Sequence, residues 1–142
     1  MISDNVEVKF VKTRDSAIVP VRSTDGSGCY DLFAAEQVDL EPSMTEKVPL
    51  GFKVEIPAGY MLIIFPRSSF MMQGRNAIGV VDSDYRGEVH VIIQNLGLPF
   101  CVTKGMKIAQ ATLLRAPTIH WVETTSLSDT ARGVGGFGST GL

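Results

Sequence analysis

What most constrains this chain is its punctuation. Short apolar or alternating stretches recur along it, and Gly, Pro, Asp or Asn breaks nearly every one before a helix could form. A period of two belongs to a half-buried strand, whereas a helix needs apolar residues three and four apart. Val6 to Lys12 alternates apolar and charged residues in the strand manner. Ala17 to Arg22 is a second candidate, with Pro20 pointing to an edge or a bulge. Tyr30 to Ala35 follows the turn-rich Asp25-Gly26-Ser27-Gly28, and Lys47 to Ile56 alternates around Gly51, a bulge position. Pro57-Ala58-Gly59 is a turn, and Tyr60 to Phe65 a buried strand. Ile78 to Val81 and Glu88 to Gln94 flank a polar stretch, and Asn95-Leu96-Gly97 turns the chain. Phe100 to Thr103, Lys107 to Leu114 and Thr118 to Glu123 complete the series. Only Ser68 to Gln73 offers a short helical turn, with a serine as N-cap. Many short strands with almost no helix predict an all-β sandwich or barrel.

At 142 residues the chain makes one domain. A net charge of −2 argues against binding nucleic acid by bulk electrostatics, yet one nucleotide needs only a few placed cations. Cys29 and Cys101 form no CxxC and cannot build a disulfide scaffold, so they read as free thiols of a reducing compartment. Met1 to Asn5 lacks the basic and apolar regions of a signal peptide, and the longest apolar run, Tyr60 to Pro66, is too short to span a membrane. There is no Asn-x-Ser/Thr site. The expected location is cytoplasmic or nuclear. From Thr124 onward Ser, Thr and Gly dominate, and a flexible tail is expected over 124–142.

Three stretches carry chemistry-bearing residues. Gly133 to Gly138 formally fits G-x-G-x-x-G, but a dinucleotide fold needs a strand before it and a helix after it. A phosphate-binding flap is the other use, with backbone N–H groups, Arg132, Ser139 and Thr140 as donors and Phe137 free to stack on a base. A tail without function fits the composition equally. Asp82-Ser83-Asp84-Tyr85-Arg86-Gly87 starts like a Ca²⁺ loop, but Arg86 and Ile93 stand where ligands are required. Its carboxylates suit activation of a water, or simply cap a polar turn. Pro66-Arg67-Ser68-Ser69 offers a guanidinium fork and hydroxyls to phosphate oxygens, or a solvated turn. His90 and His120 lack partners at metal-ligand spacing, and Met71 and Met72 read as gap-filling core residues.

The order of these stretches resembles the trimeric dUTPase family over nearly the whole chain. Five family motifs follow one another: Gly28-Cys29-Tyr30-Asp31-Leu32-Phe33-Ala34-Ala35, Pro66-Arg67-Ser68-Ser69, Gly79 to Gly87, Lys104-Gly105-Met106-Lys107-Ile108-Ala109-Gln110, and Arg132 to Gly141. The resemblance implies a jelly-roll domain over 1–123, a tail over 124–142 that closes on the active site, and a homotrimer with sites shared between subunits. It implies Mg²⁺-dependent hydrolysis of dUTP to dUMP and pyrophosphate, which keeps uracil out of DNA and supplies dUMP for thymidylate synthesis. Neither direct nucleic-acid binding nor a membrane is implied. Asp82 would activate the attacking water, and Asp31 would hold Mg²⁺ through water. Arg67, Ser68, Ser69 and Gln110 would grip phosphates. Asn76, Gly79 and Val81 would line the uracil, and Tyr85 would pack under the deoxyribose. Arg132, Phe137, Gly138, Ser139 and Thr140 would close over the substrate.

The chain departs from the family pattern at Ser69, where Gly is usual, at Met106-Lys107, where Asp-Arg is usual, and at Cys29, where Ala is common. Arg-Ser-Ser also occurs in the related dCTP deaminases, which makes a deaminase or a bifunctional deaminase-diphosphatase the alternative enzyme. Those enzymes use a Glu on the strand after the third motif, where this chain has Ile92, and an aliphatic side chain shuttles no protons. A nucleotide-binding regulator on the same fold is the non-enzymatic alternative.

Overall fold

The computed structural model describes residues 5–141. Residues 1–4 and Leu142, the outer ends of the two expected segments, lie outside the described residues. Along the chain run β1 (Lys9–Lys12), β2 (Tyr30–Phe33), β3 (Val38–Leu40), β4 (Thr45–Pro49), β5 (Phe52–Glu55) and β6 (Tyr60–Phe65). A single helical turn follows, α1 (Ser68–Met71), and then β7 (Arg75–Asn76), β8 (Gly79–Val81), β9 (His90–Asn95), β10 (Phe100–Val102) and β11 (Lys107–Arg115). A four-stranded sheet, β2-β11-β6-β8, and a three-stranded sheet, β4-β9-β7, are accompanied by the ribbons β1-β5 and β10-β3. Each of these pairings is antiparallel. This is the expected all-β jelly-roll subunit.

The core follows from the period-two pattern. Strand β9 sends Val91, Ile93 and Asn95 inward and leaves Ile92 and Gln94 outside. Leu32, Ile64 and Ile108 of the four-stranded sheet belong to the same buried cluster. Asn95 is a fully buried polar residue at the end of β9. Its amide donates to Leu40 O at 2.8 Å and Leu98 O at 2.9 Å, and its carbonyl accepts the Gly97 N–H at 3.0 Å. The tip of β9 is thereby tied to β3 and to its own turn.

Several expectations need correction. Ala17 to Arg22 is not a strand: Pro20 cannot donate to a ladder, and only a bridge between Val21 and Asp31 forms. Lys47 to Ile56 is two strands, because Gly51 at φ +76 turns the chain where a Cβ would press on Ala17 and Ala35. Strands β3 and β7 went unread, being too short to show a period. The α1 N-cap is Arg67, and no side chain caps it. Met71 and Met72 fill no gap, being 59% and 88% exposed. Tyr60 to Phe65 is a strand, but only Ile64 is fully buried. Thr118 to Glu123 forms no strand, and Ile119, Trp121 and Val122 project into solvent, since an alternating segment needs a ladder partner and none is supplied here.

Near the start of β9 an ion cluster pins the loop after β1. Arg14 pairs with Glu88 at 3.0 Å and with Glu36 at 2.6 Å, and the Thr13 hydroxyl donates to Glu88. The Arg14 hydrogen bond holds the Glu88 carboxyl below its ordinary range against the opposing effect of burial.

Two stability predictions follow from these contacts. Asn95→Leu should destabilise the fold by about 2 kcal/mol in urea titrations followed by circular dichroism, since the buried Leu40 carbonyl and the part-buried Leu98 carbonyl and Gly97 N–H lose their partner. A loss below about 0.5 kcal/mol would show that they are satisfied otherwise. Glu88, with its depressed folded pKa, contributes stability above its unfolded pKa and loses it as pH falls through the folded value. Wild type should therefore exceed Glu88→Gln in stability at neutral pH. The gap should close as pH falls below about 4.3, the ordinary Glu value, and a gap that widened in acid would contradict the pairing.

Candidate active site

The site is organised around β11. Its register sets Gln110 opposite Asp31 on β2 and opposite Phe65 on β6. Directly opposed residues of antiparallel strands point to the same face, so these three share the outer face of the sheet. Lys107 lies three positions before Gln110 and should face the other way by simple alternation. The register shifts between Lys107 and Ala109, however, and both Ile108 and Ala109 are fully buried. This bulge returns Lys107 to the outer face.

Asp31 is the centre of a cationic cluster. The Lys107 ammonium lies 3.1 Å from Asp31 Oδ2, the Ser23 hydroxyl donates to the same oxygen at 2.8 Å, and Arg67 Nε is 4.0 Å from Oδ1. Burial opposes ionisation of Asp31. The Ser23 hydrogen bond and the neighbouring Lys107 and Arg67 outweigh it and hold the carboxyl below its usual range. Arg67 donates to Lys107 O at 3.3 Å, and Gln110 donates to Pro66 O at 3.0 Å, so the turn bearing Arg67, Ser68 and Ser69 is fastened to β11. Lys107 was absent from the predicted site; its place three residues before Gln110 in the fourth motif was the available signal. Among the described residues no group of three or more His, Cys, Asp or Glu gathers as a metal cage. A lone carboxylate would reach Mg²⁺ only through the waters that this ion keeps.

The second half of the site is the segment from β7 through the loop after β8. Asn76 is exposed on β7, its Oδ1 accepting the Ala77 N–H at 2.9 Å. Along β8, Val80 faces out and Val81 in, and the exposed Asp82 follows. The loop after it is well braced. Tyr85 N–H donates to Asp82 O at 3.2 Å, and the Tyr85 hydroxyl donates to Glu88 O at 2.9 Å. Arg86 donates to Ser83 O at 2.7 Å and pairs with Glu55 at 3.3 Å. Gly87 leaves room for the Tyr85 ring, which a Cβ there would displace.

Within one chain, Asp82 is separated from the Arg67 cluster by the length of a ladder. The β6–β8 ladder runs from Leu62↔Val81 to Ile64↔Gly79. Asp82 leaves past the Leu62 end and Arg67 past the Phe65 end. At roughly 3.3 Å per residue, the ends are on the order of 13 Å apart. The last motif stands apart as well. Among the described residues, hydrogen bonds of 124–141 stay within that stretch, such as Arg132 Nε to Gly135 O at 2.8 Å. Phe137 projects fully into solvent, and Gly138, Ser139 and Thr140 are exposed beside it. An open cleft of about 630 Å³ between β1 and the four-stranded sheet, lined by Val8, Phe10, Leu62 and Leu113, contains none of the predicted site residues.

Comparison with known proteins bears on this arrangement. A sequence profile described as dUTPase matches residues 15–141. The deoxyuridine 5'-triphosphate nucleotidohydrolase of Rhizobium rhizogenes is 44% identical over 133 residues, covering 87% of this chain and 85% of the relative. The enzyme of the same name from Helicobacter pylori strain 26695 is 37% identical over 142 residues, covering 96% and 98%. Among solved structures, a mutant Staphylococcus bacteriophage 80alpha dUTPase with dUpNHpp superposes with a TM-score of 0.89 at 23% identity, over 96% of this chain and 99% of that one. A mutant dUTPase from phage phi11 of S. aureus, described with a structural Mg(II) ion, superposes at 0.79 and 20% identity, over 84% and 97%. The structural likeness bears on the fold, and the profile and curated relatives bear on descent: this chain belongs to the dUTPase family.

Proposed function

We propose that the protein hydrolyses dUTP to dUMP and pyrophosphate in a homotrimer whose active sites are shared between subunits. The observation that carries the reading is the cluster of Arg67, Lys107 and Gln110 about Asp31, a built anion grip with one carboxylate, in a chain of the dUTPase family. Arg67 and Lys107, with Ser68, Ser69 and Gln110, bind the triphosphate. Asp31 would hold Mg²⁺ through water, and the ion would supply neutralisation of charge on the phosphates. Asp82 accepts a proton from a water whose oxygen bonds to the α-phosphorus, while the bond from that phosphorus to the pyrophosphate oxygen breaks. Asn76, Gly79 and Val81 line the uracil, and Tyr85, held by Glu88 O, stacks under the deoxyribose and excludes a 2′-hydroxyl. Arg132, Phe137, Gly138, Ser139 and Thr140 close over the substrate as a flexible lid and exclude water. Hydrolysis keeps uracil out of DNA, and its product dUMP supplies thymidylate synthesis, in the cytoplasm or nucleus. Among the described residues, no helix is long and apolar enough to cross a membrane.

Three features support sharing. Asp82 and Arg67 leave opposite ends of the same ladder, so a complete site needs Asp82 from one subunit and the Arg67 cluster from another. The outer face between them is apolar. Met61, Ile63 and Phe65 on β6 are only half-buried, and Val80 and Leu114 are 55% and 40% exposed. Finally, the residues after β11 leave the body with Ile119, Trp121 and Val122 bare, as suits a segment that docks on a neighbour. A deaminase gains no support, because Ile92 is an exposed aliphatic side chain on β9.

Asp82→Asn should fold and bind dUTP with Mg²⁺ yet lose ~10²–10⁴-fold in turnover, measured by pyrophosphate release. Near-normal turnover would remove Asp82 from the mechanism. Mixing should test the sharing. Asp82→Asn chains and chains truncated before Arg132 should each be nearly inactive, and refolding them together should restore about one quarter of wild-type activity by random assembly in closed trimers. No recovery in mixed trimers confirmed by mass would mean that the lid serves its own subunit's Asp82.

A further inference from the structure

Arg75 is an anomaly of the fold. It lies on β7 opposite Asn95 and is only 4% exposed, yet it forms no ion pair among the described residues. Its Nε has no hydrogen-bond partner there, and Nη1 donates to the side chain of Gln73, an exposed residue. The guanidinium instead lies over aromatic rings, with Cζ 3.8 Å from the centroid of Phe100 and 5.6 Å from that of Phe70. The two rings meet edge to face at 5.6 Å. A buried cation without a carboxylate is costly, and an apolar side chain of similar volume would serve packing at least as well. Packing alone therefore does not account for an arginine here.

Its neighbours suggest what does. Phe70 belongs to α1, directly after Arg67-Ser68-Ser69, and Phe100 belongs to β10. The next residue on β7 is Asn76, whose side chain faces the opposite way and is exposed. The two-residue β7 has little ladder of its own, pairing only with Asn95 and Gln94. A planar cation stacked on Phe100 fixes the strand's rotation and depth where so short a ladder cannot.

We propose that Arg75 is a positioning residue for nucleobase recognition: its stack on Phe100 and Phe70 fixes β7 and so sets where Asn76 meets the base. This rests on the proposed dUTP reading, so wild-type turnover of dUTP is measured first in the same assay. Without that turnover the function itself falls.

Given wild-type turnover, Arg75→Met should raise KM for dUTP about tenfold and lower the preference for dUTP over dCTP by a similar factor, with kcat changed less than about twofold. Its melting temperature by circular dichroism should be unchanged or higher. Arg75→Lys, which keeps the cation without the planar stack, should recover part of the selectivity. Unchanged KM and selectivity in Arg75→Met would overturn the proposal. So would a fall in kcat alone, or a lowered melting temperature with intact selectivity. Should Arg75→Met not fold, Phe100→Leu must give the same rise in KM and loss of selectivity, and wild-type values there would equally overturn it.

Discussion

The pairing of β11 with β2 and β6 is the constraint on which the rest depends. One nine-residue strand sets the register of two neighbours, and that register alone puts Asp31, Gln110 and Phe65 in a row. A slip by one position would turn every outward side chain of β11 into the core. The buried Ile108, Ala109 and Ala111 oppose such a slip, so the packing that stabilises the sheet also fixes the chemistry on its other side. The bulge adds what strict alternation forbids, two polar residues three apart on one face. A departure from the pleat thus sits within the longest strand of the domain.

How far this could be read from the amino acids varied with what each segment touches. Tyr60–Phe65 was legible to the residue because turns bound it on both sides and its composition is wholly apolar. Its burial was misjudged, because alternation reports how many faces are apolar and not whether the same chain covers them. The same ambiguity explains Thr118 to Glu123, which carries the pattern of a strand without a ladder in its own subunit. β3 and β7 span three and two residues, below the length at which a period exists. The candidate site residues were read from the order of family motifs. Composition left Asp82 as a plausible turn residue and Arg67 as a plausible solvated one. Lys107 and Arg75 escaped for opposite reasons. The face of Lys107 depends on a bulge that no pattern announces, and Arg75 sits where a charged residue is not expected to be buried at all.

The local geometry around Asp82 shows how much support a single carboxylate receives. Tyr85 is fixed from one side by Glu88 O and from the other by the space that Gly87 leaves, while Arg86 ties the loop to β5 through Glu55. The Glu88 side chain in turn is held by Arg14 and Thr13, two residues from the loop after β1. A surface loop of polar residues would ordinarily be mobile. Here the side chains of Tyr85, Arg86 and Glu88 are each committed to a backbone or ionic partner, which braces the frame behind the exposed Asp82.

The projecting segment after β11 has an optical consequence. It carries the chain's single tryptophan, Trp121, 84% exposed, while the core contains no indole. Intrinsic tryptophan emission therefore reports the surroundings of that segment and is blind to the jelly-roll core. A shift of emission toward the blue on raising protein concentration would register the indole becoming covered, even with the core unchanged. Conversely, an unfolding curve followed by tryptophan alone would record release of this segment. Its midpoint need not coincide with loss of the sheets seen by far-ultraviolet circular dichroism, and two-state analysis needs both signals.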